Sequence, residues 1–212
     1  MKTKSKALLL TLCAVLLVAA SVLGTMAYLT SQDTVTNTFT VGSVAIKLDE
    51  AKANPDGSLV PNAERVKANS YKLIPGHTYN KDPMVTVLKG SESSYIKMTV
   101  TFTKAAQLDE IFAPNGADMT RIFNGYDRTN WIAKGNTENP ADNTRTYEFW
   151  YKEAVAAPDA DVALDALFDS ITVPGSITND QLKAIEGMTI TVNAYAIQAD
   201  GFTNAAEAWE KF

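Results

Sequence analysis

Histidine and cysteine, two residue types that often bind metals or take part in catalysis, occur once each in this chain of 212 residues. The single histidine, His77, lies in a Pro-Gly turn with no glutamate beside it, and the single cysteine, Cys13, lies in an apolar stretch near the start of the chain. Zinc sites draw on histidine, cysteine and carboxylate ligands, as in the helical H-E-x-x-H motif. A zinc site at His77 would need an otherwise all-carboxylate shell, so we interpret His77 as an exposed turn residue and predict no metal site.

The nearest approach to a calcium site is the group formed by Asp159, Asp161 and Asp165. The group lacks the glycine and the final bidentate glutamate of an EF-hand loop, which favours a solvated acidic loop. The sequence also contains no nucleophile elbow and no glycine-rich phosphate loop. We therefore predict that the protein is not an enzyme, that it has no catalytic residues and that it binds no cofactor.

Aromatic residues are concentrated between residues 145 and 152, which read RTYEFWYK. A strand here would place Tyr147, Phe149 and Tyr151 on one face and Trp150 on the other. Such a row of rings is able to stack on a sugar, but at alternate positions of a strand it more often belongs to a core. The core interpretation is favoured, and a carbohydrate-binding face is the alternative.

The elements that would position these residues are mainly strands. Residues 95–102 (YIKMTVTF) alternate most cleanly, with apolar side chains at Ile96, Met98, Val100 and Phe102. This pattern is typical of an antiparallel strand with one buried face. The same reasoning predicts further strands at 44–48, 85–87, 145–152, 167–173 and 188–197.

The remaining segments are predicted as short helices, loops and a hairpin. Helices are predicted at 104–112, after a capping box at 178–181 and after Asn204. Residues 49–70 are predicted as an exposed excursion between strands, with a turn at the Asn-Pro-Asp-Gly sequence 54–57, and residues 90–94 are predicted as a loop. The Asn-Gly pair within 122–126 predicts a hairpin whose partner is 130–133.

The pattern as a whole predicts an all-β, antiparallel β-sandwich with a few short helical insertions. The residues alone do not distinguish a jelly-roll-like sandwich from an immunoglobulin-like one.

The first 27 residues have the pattern of a signal peptide. Three lysines precede an uncharged apolar segment at 7–20, and the small residues Thr25 and Ala27 stand at −3 and −1 of a cut before Tyr28. This predicts a signal peptide at 1–27 and a single secreted domain at 28–212. The alternative is an uncleaved N-terminal anchor, because residues 7–23 approach the length that spans a bilayer.

Removing residues 1–27 leaves 185 residues, enough for one domain with a substantial core. Those residues carry 16 basic and 24 acidic side chains, a formal charge of −8. An acidic exported domain argues against nucleic acid or anionic lipid as a partner. We expect the protein to be extracellular or at the cell surface, with membrane contact only before cleavage and no disulfide in the mature domain.

Residues 28–41 form the first segment after the predicted cut. Leu29, Val35, Phe39 and Val41 share one parity, while threonines fill most of the other parity, and the segment contains no proline or glycine. This alternation predicts an extended strand.

Residues 24–30 (GTMAYLT) and 37–48 (NTFTVGSVAIKL) resemble the N-terminus of the TasA/camelysin (CalY) family. Weaker landmarks of the same family are the P-G-x-x-x-x-K-x-P-x-V pattern at 75–85, L-F-x-x-I-x-V-P at 167–174 and A-Y-A-I-Q-A-x-G-F at 194–202. The loops at 49–70 and 103–145 show no landmark of the family.

The resemblance implies an exported protein of Gram-positive bacteria whose leader is removed by a SipW-type signal peptidase at Thr25, Ala27 and Tyr28. It also implies a jelly-roll-like sandwich that self-associates into biofilm-matrix fibres, or serves as an accessory to them. In such fibres the N-terminal segment of one subunit adds as a strand to the next. The donor would then be residues 28–41, with Leu29, Val35, Phe39 and Val41 facing the acceptor.

Three alternatives to the fibre interpretation follow from the sequence. The 28–41 segment is equally compatible with an ordinary first strand that pairs within its own domain. A monomeric adhesin or glycan-binding module is a second alternative. A camelysin-like metalloprotease is a third, for which the sequence supplies poor ligands.

Overall fold

A computed structural model of the chain describes residues 3–28, 42–112 and 122–212. The chain divides into two compact units, residues 1–41 and residues 42–212. Within the first unit the described element is helix α1 (Thr3–Tyr28). Among the described residues, no helix is both long and apolar enough to cross a bilayer.

The residues of the predicted cut, Thr25, Ala27 and Tyr28, lie in the last turn of α1. Tyr28 is therefore helical in the uncleaved chain, whereas the predicted strand concerns the chain after cleavage and stays a prediction. The candidate donor residues Leu29, Val35, Phe39 and Val41 lie outside the described residues.

The second unit is built from antiparallel strands, which confirms the all-β prediction. The strands are β1 (Ile46–Asp49), β2 (Thr78–Asn80), β3 (Met84–Val87), β4 (Ser91–Thr103), β5 (Phe123–Asn124), β6 (Trp131–Asn139), β7 (Thr144–Tyr151), β8 (Val155–Ala157), β9 (Val162–Ala163), β10 (Ser170–Thr172) and β11 (Ile190–Gln198). The short helices are α2 (Ala105–Phe112), α3 (Asn179–Ala184) and α4 (Ala205–Glu210).

The strands form one large sheet and two small ones. The main sheet has the order β11-β4-β7-β6, and β8 also pairs with β4. The small sheets have the orders β1-β3-β9 and β2-β10-β5. One face of the main sheet packs against both small sheets, so the core lies between the two layers.

Alternate residues of β4 line this core, as the sequence predicts. Ile96, Met98 and Val100 have no exposed surface, and Phe102 is equally buried. They meet Val85 and Val87 of β3, and an aromatic cluster centred on Phe123, whose ring stacks on that of Phe168 with centroids 4.2 Å apart. Among the residues that the structure describes, every member of the core lies within 42–212, so this unit has a packed interior of its own.

The aromatic row of β7 is divided between the two faces of the sheet. Tyr147 and Phe149 are buried in the core, which confirms the core interpretation of these side chains. Trp150 lies on the opposite face, where the Lys134 ammonium sits 4.2 Å from its ring centroid. The rings therefore do not form one shared platform.

Helix α4 packs on this outer face of the main sheet. The Lys97 ammonium of β4 lies 4.5 Å from the centroid of the Trp209 ring and 5.0 Å from that of Phe212. Asn204 caps the helix by accepting a hydrogen bond from the Glu207 amide, as predicted. A capping box at Thr178 likewise opens α3.

Two local predictions are wrong. Residues 90–94 are not a loop, because β4 begins at Ser91 and pairs there with β8 through a register shift. Residues 122–126 do not pair with 130–133, because β5 pairs with β10 and β6 pairs with β7. The Gly125 turn does form, but the Asp169 amide donates to the Asn124 carbonyl, so a long-range contact decides the pairing.

Alternation in β4 predicts that truncating two neighbouring residues destabilises the domain by very different amounts. Met98→Ala should lower the free energy of unfolding by about 2–5 kcal/mol, because it leaves a cavity in a close-packed core. Thr99→Ala, on the outer face, should cost no more than about 1 kcal/mol of strand propensity. Urea unfolding of the chain beginning at Gly42 measures both, and equal costs would contradict the assigned faces.

Candidate functional site

Strand β11 lies at one edge of the main sheet. It pairs with β4 in an unbroken antiparallel register from Ile190 opposite Phe102 to Gln198 opposite Ser94. Among the described residues, no strand pairs with its other side. β11 therefore presents an open edge nine residues long.

The register shows which backbone N–H and C=O groups of β11 point away from β4, toward the unpaired edge. The Thr103 amide donates to the Thr189 carbonyl over 3.1 Å, and the Ala199 amide donates to the Ser93 carbonyl over 2.8 Å. In an antiparallel pair these bonded positions alternate with positions whose N–H and C=O point away from the partner. The outward-pointing positions of β11 are Ile190, Val192, Ala194 and Ala196, and within the described part of the chain their backbone groups make no hydrogen bond on that side.

This edge carries none of the features that normally prevent strands from adding to one another. The sequence of β11, ITVNAYAIQ, contains no charge, no proline and no glycine. Natural edge strands usually carry lysine, proline or a bulge that disfavours pairing with another chain. The edge of β11 is thus chemically suited to receive a strand.

The opposite edge of the main sheet, β6, carries such features. Lys134 and Glu138 place charges on β6, and the register shifts between Ala133 and Gly135. Gly135 has a φ of 111°, a conformation that L side chains rarely adopt and that marks the irregularity. The main sheet therefore has one edge, β6, with features that disfavour strand addition, and one edge, β11, without them.

The edge of β1 is covered by a neighbouring segment. Glu50, which follows β1, exchanges backbone hydrogen bonds with Val66, with N···O distances of 2.9 and 2.8 Å. The Lys67 ammonium donates to the outward carbonyl of Leu48. These contacts close the part of β1 that lies nearest to β11.

A groove runs beside the first residues of β11. One part has a volume of about 350 Å³ and lies between β1, residues 67–69 and residues 190–192. A second part of about 380 Å³ continues along residues 69–73 and 187–190. One wall is thus the segment 67–73, the other is the start of β11, and Asn69, Lys81 and Ile190 line both parts.

Beneath the groove lies a small apolar cavity of about 40 Å³. Its lining includes Leu73, Phe102, Leu108, Ile185, Met188 and Ile190. The space is continuous with the core on one side and borders the wall of the groove on the other, because Leu73 and Ile190 belong to both.

Buried charges hold the wall of the groove in place. Arg65 donates from Nε to Asp49 Oδ1 over 2.6 Å and from Nη1 to Asp82 Oδ2 over 2.8 Å. The Lys81 ammonium lies 2.5 Å from the Glu50 carboxylate, and both side chains are largely buried. Such pairs fix geometry more than they add stability, because desolvation offsets much of their attraction.

Neutral hydrogen bonds extend this attachment along residues 67–73. The Asn69 side-chain amide donates to the Glu50 carboxylate and to the Ala51 carbonyl, over 2.9 and 2.8 Å. The Tyr71 hydroxyl donates to the Asn80 carbonyl over 2.6 Å, and burial raises the pKa of this hydroxyl. The wall is therefore tied to β1 and β2 at several points.

The sequence prediction of an exposed excursion at 49–70 is only partly right. The Asn-Pro-Asp-Gly turn forms, since the Gly57 amide donates to the Asn54 carbonyl over 2.9 Å. Asp49 and Glu50, however, are buried, because Arg65 and Lys81 neutralise them. Hydropathy alone does not reveal that these two carboxylates are buried, because the basic side chains that pair with them are distant in sequence.

The polar residues considered from sequence take part in local structure. His77 is exposed in its turn, as predicted. Asp161 accepts the Lys89 amide over 2.8 Å, and Asp165 accepts the Asn130 side-chain amide over 2.9 Å. Across residues 3–28, 42–112 and 122–212, no three side chains of histidine, cysteine, aspartate or glutamate converge as a metal site would require.

No protein-family model, no curated protein and no solved structure matches this chain. The unpaired N–H and C=O groups at alternate residues of β11 are of the kind that hydrogen-bond an extended backbone, and the groove beside them is open.

The charge network makes the stability of the domain depend on pH. Burial raises the pKa of the Asp49 carboxyl, but hydrogen bonds from Lys47 and Arg65 outweigh it, so the folded-state pKa is below the ordinary value. Ionised Asp49 thus stabilises the fold above pH ~4, and this contribution disappears as the pH falls through the lower folded-state pKa.

Asp49→Asn should consequently lose less stability between pH 7 and pH 3 than the unmodified domain does, although it is less stable at pH 7. Urea unfolding at a series of pH values tests this, with Asp200→Asn at an exposed turn as the charge-matched control. Parallel pH curves for Asp49→Asn and the unmodified domain would contradict the role of Asp49.

Proposed function

We propose that this protein is a secreted structural subunit, or an accessory, of an extracellular matrix, and that it assembles when residues 28–41 of one copy add as a strand to another copy. The observation that supports the proposal most directly is the open β11 edge, which has nine residues and no charge. An edge of this kind is a template for pairing with a second chain.

The segment that would be donated has matching properties. Residues 29–41 contain no proline or glycine, and their apolar side chains Leu29, Val35, Phe39 and Val41 share one parity. A strand of this kind buries one row of side chains in the acceptor and leaves mostly threonine outside. Self-association therefore needs no partner of another class, and the proposal includes no catalysis, no cofactor and no nucleic acid.

Removal of the leader would make the donor segment available. In this proposal a SipW-type signal peptidase cuts after Ala27, with Thr25 at −3, and releases Tyr28 as the new N-terminus. Before the cut, the apolar helix would tie the segment to the membrane. This scheme, a jelly-roll-like architecture and a place in the TasA/camelysin family are the parts of the proposal that rest on the resemblance at 24–48.

The first test compares two purified chains, one beginning at Tyr28 and one at Gly42. The longer chain should form fibres or oligomers whose size increases with concentration, and the shorter one should remain monomeric because it has no strand to donate. Size-exclusion chromatography with light scattering and negative-stain electron microscopy report the outcome. A longer chain that remains monomeric at high concentration would contradict the proposal.

A second test disables the acceptor edge, β11, in a chain that keeps the donor segment, residues 28–41. Val192→Pro removes an N–H that points away from β4 and places a ring on the outer edge, so the fold should survive while strand addition is lost. The Val192→Pro chain beginning at Tyr28 should be monomeric alone and should form a 1:1 complex with the chain beginning at Gly42. Polymerisation of the Val192→Pro chain would show that another surface is the acceptor.

A substitution that preserves the backbone guards against misfolding in this experiment. Thr191→Lys adds a charge on the exposed face of the same edge, the device that natural edge strands use. It should weaken assembly, whereas Lys134→Ala on β6 should leave assembly unchanged. The thermal unfolding midpoint of each variant verifies that the domain is folded.

A further inference from the structure

The ion pair between Lys81 and Glu50 differs from the other ion pairs of the described residues in being buried on both sides. The two side chains are 10% and 7% exposed, whereas every other pair has at least one partner that is 27% exposed or more. Lysine and glutamate are rarely buried to this extent, because withdrawing both charges from water is costly. A desolvated lysine beside a base is also the arrangement in which a lysine amine serves as a nucleophile.

The side-chain amide of Asn69 completes a triad with this pair. Glu50 accepts from Lys81 Nζ with Oε2 over 2.5 Å and from Asn69 Nδ2 with Oε1 over 2.9 Å, so one carboxylate contacts both nitrogen atoms. At the other end of the amide, the Ala53 N–H donates to Asn69 Oδ1 over 2.9 Å. Lys81 and Asn69 also line the same two parts of the groove. An amine, a base and a polarised amide carbonyl are thus assembled in one place.

These contacts meet the requirements for attack of an amine on an amide. The amine must lose a proton, which Glu50 is placed to accept. The negative charge that develops on the carbonyl oxygen must be stabilised, which the hydrogen bond from Ala53 provides. The departing nitrogen must receive a proton, and the same carboxylate already contacts it. Because one folded chain holds all the groups, little entropy remains to be lost when they react.

We propose that Lys81 and Asn69 become joined by an isopeptide bond, in a reaction that each folded chain carries out once on itself, without turnover. Glu50 takes a proton from the Lys81 ammonium, and the neutral Nζ attacks Cγ of Asn69 across the groove that both side chains line. Glu50 passes its proton to Nδ2, the Cγ–Nδ2 bond breaks, and ammonia leaves. The second proton lost from Nζ reaches the ammonia through Glu50. The products are the new amide, an ammonium ion and ionised Glu50, and nothing is oxidised or reduced.

The bond would fasten the wall of the groove covalently. It would link residue 69, in the wall, to residue 81, which follows β2, and so close the chain between them into a loop. The only cysteine, Cys13, lies before the predicted cut, so the predicted mature domain has no disulfide that could do this. A cross-link of this kind stabilises a fold mainly by restricting the unfolded chain, as a disulfide does.

Mass spectrometry of the chain beginning at Tyr28 tests the bond. The intact mass should be lower than the sequence mass by one ammonia, ~17 Da. After denaturation and trypsin digestion, residues 68–72 should appear joined to residues 73–89, because trypsin does not cut after a modified Lys81. Fragmentation of this branched product should place the branch at Asn69 and Lys81, which distinguishes the bond from loss of ammonia at another asparagine.

Substitutions in the triad test the role of each member. Lys81→Arg keeps a cation beside Glu50 but no attacking amine, and Asn69→Ala removes the carbonyl that is attacked, so both chains should retain their full sequence mass. Glu50→Gln should slow formation of the bond about 100-fold or more, as expected for loss of a general base. Lys67→Arg, at an exposed lysine of the same groove, should leave the loss of ammonia unchanged. Circular dichroism verifies that each variant is folded.

The reaction should also depend on the fold and not on assembly. A chain isolated and kept in urea should remain linear and should lose ammonia after refolding, and Val192→Pro should form the bond as the unmodified chain does. If the unmodified folded chain keeps its full mass through prolonged incubation, with normal trypsin cleavage after Lys81, the proposal is overturned and the triad is an ordinary buried ion pair. Loss of ammonia from the Lys81→Arg chain would overturn it equally.

Discussion

The pairing of β4 on both sides is the constraint on which this domain depends. A buried strand must find partners for its backbone groups in both directions, and β4 obtains them from β11 on one side and from β7 and β8 on the other. Its alternating side chains then build one half of the core. Because β4 occupies the centre, β11 and β6 become the edges of the sheet.

The second layer is held by a different kind of interaction. The small sheets pack on the core through Val85, Val87 and Phe123, but the long segment between β1 and β2 has little apolar surface. Charge pairing replaces packing there: Arg65 pairs with Asp49 at the end of β1, and Lys81 pairs with Glu50, the next residue. The groove beside β11 lies between this segment and the strand.

Local patterns in the sequence predict elements well and their partners poorly. The alternation in 95–102, the capping box at Thr178 and the division of the rings in 145–152 all depend on neighbours within a few residues, and the structure confirms them. The partner of β5 is decided instead by Asp169, more than 40 residues away. The burial of Asp49 depends likewise on Arg65, and no local pattern reveals it.

The edge position of β11 belongs to the same class of non-local facts. The sequence predicts a strong strand at 188–197, but its place in the sheet follows from pairing with residues almost 100 positions earlier. The absence of charge and proline in this strand is visible in the sequence. This absence bears on strand addition only because the structure leaves one side of the strand unpaired.

The contrast between the two edges of the main sheet makes the domain directional. The main sheet has an uncharged edge at β11 and a charged, irregular edge at β6, so under the proposed function it would be extended on one side only. Contacts between unlike surfaces do not close on themselves as a two-fold dimer does, and they generate rings or open filaments. A filament built from such domains would have two chemically different ends, one with an unfilled edge and one with an unused donor segment. Growth and termination at the two ends would consequently be governed separately.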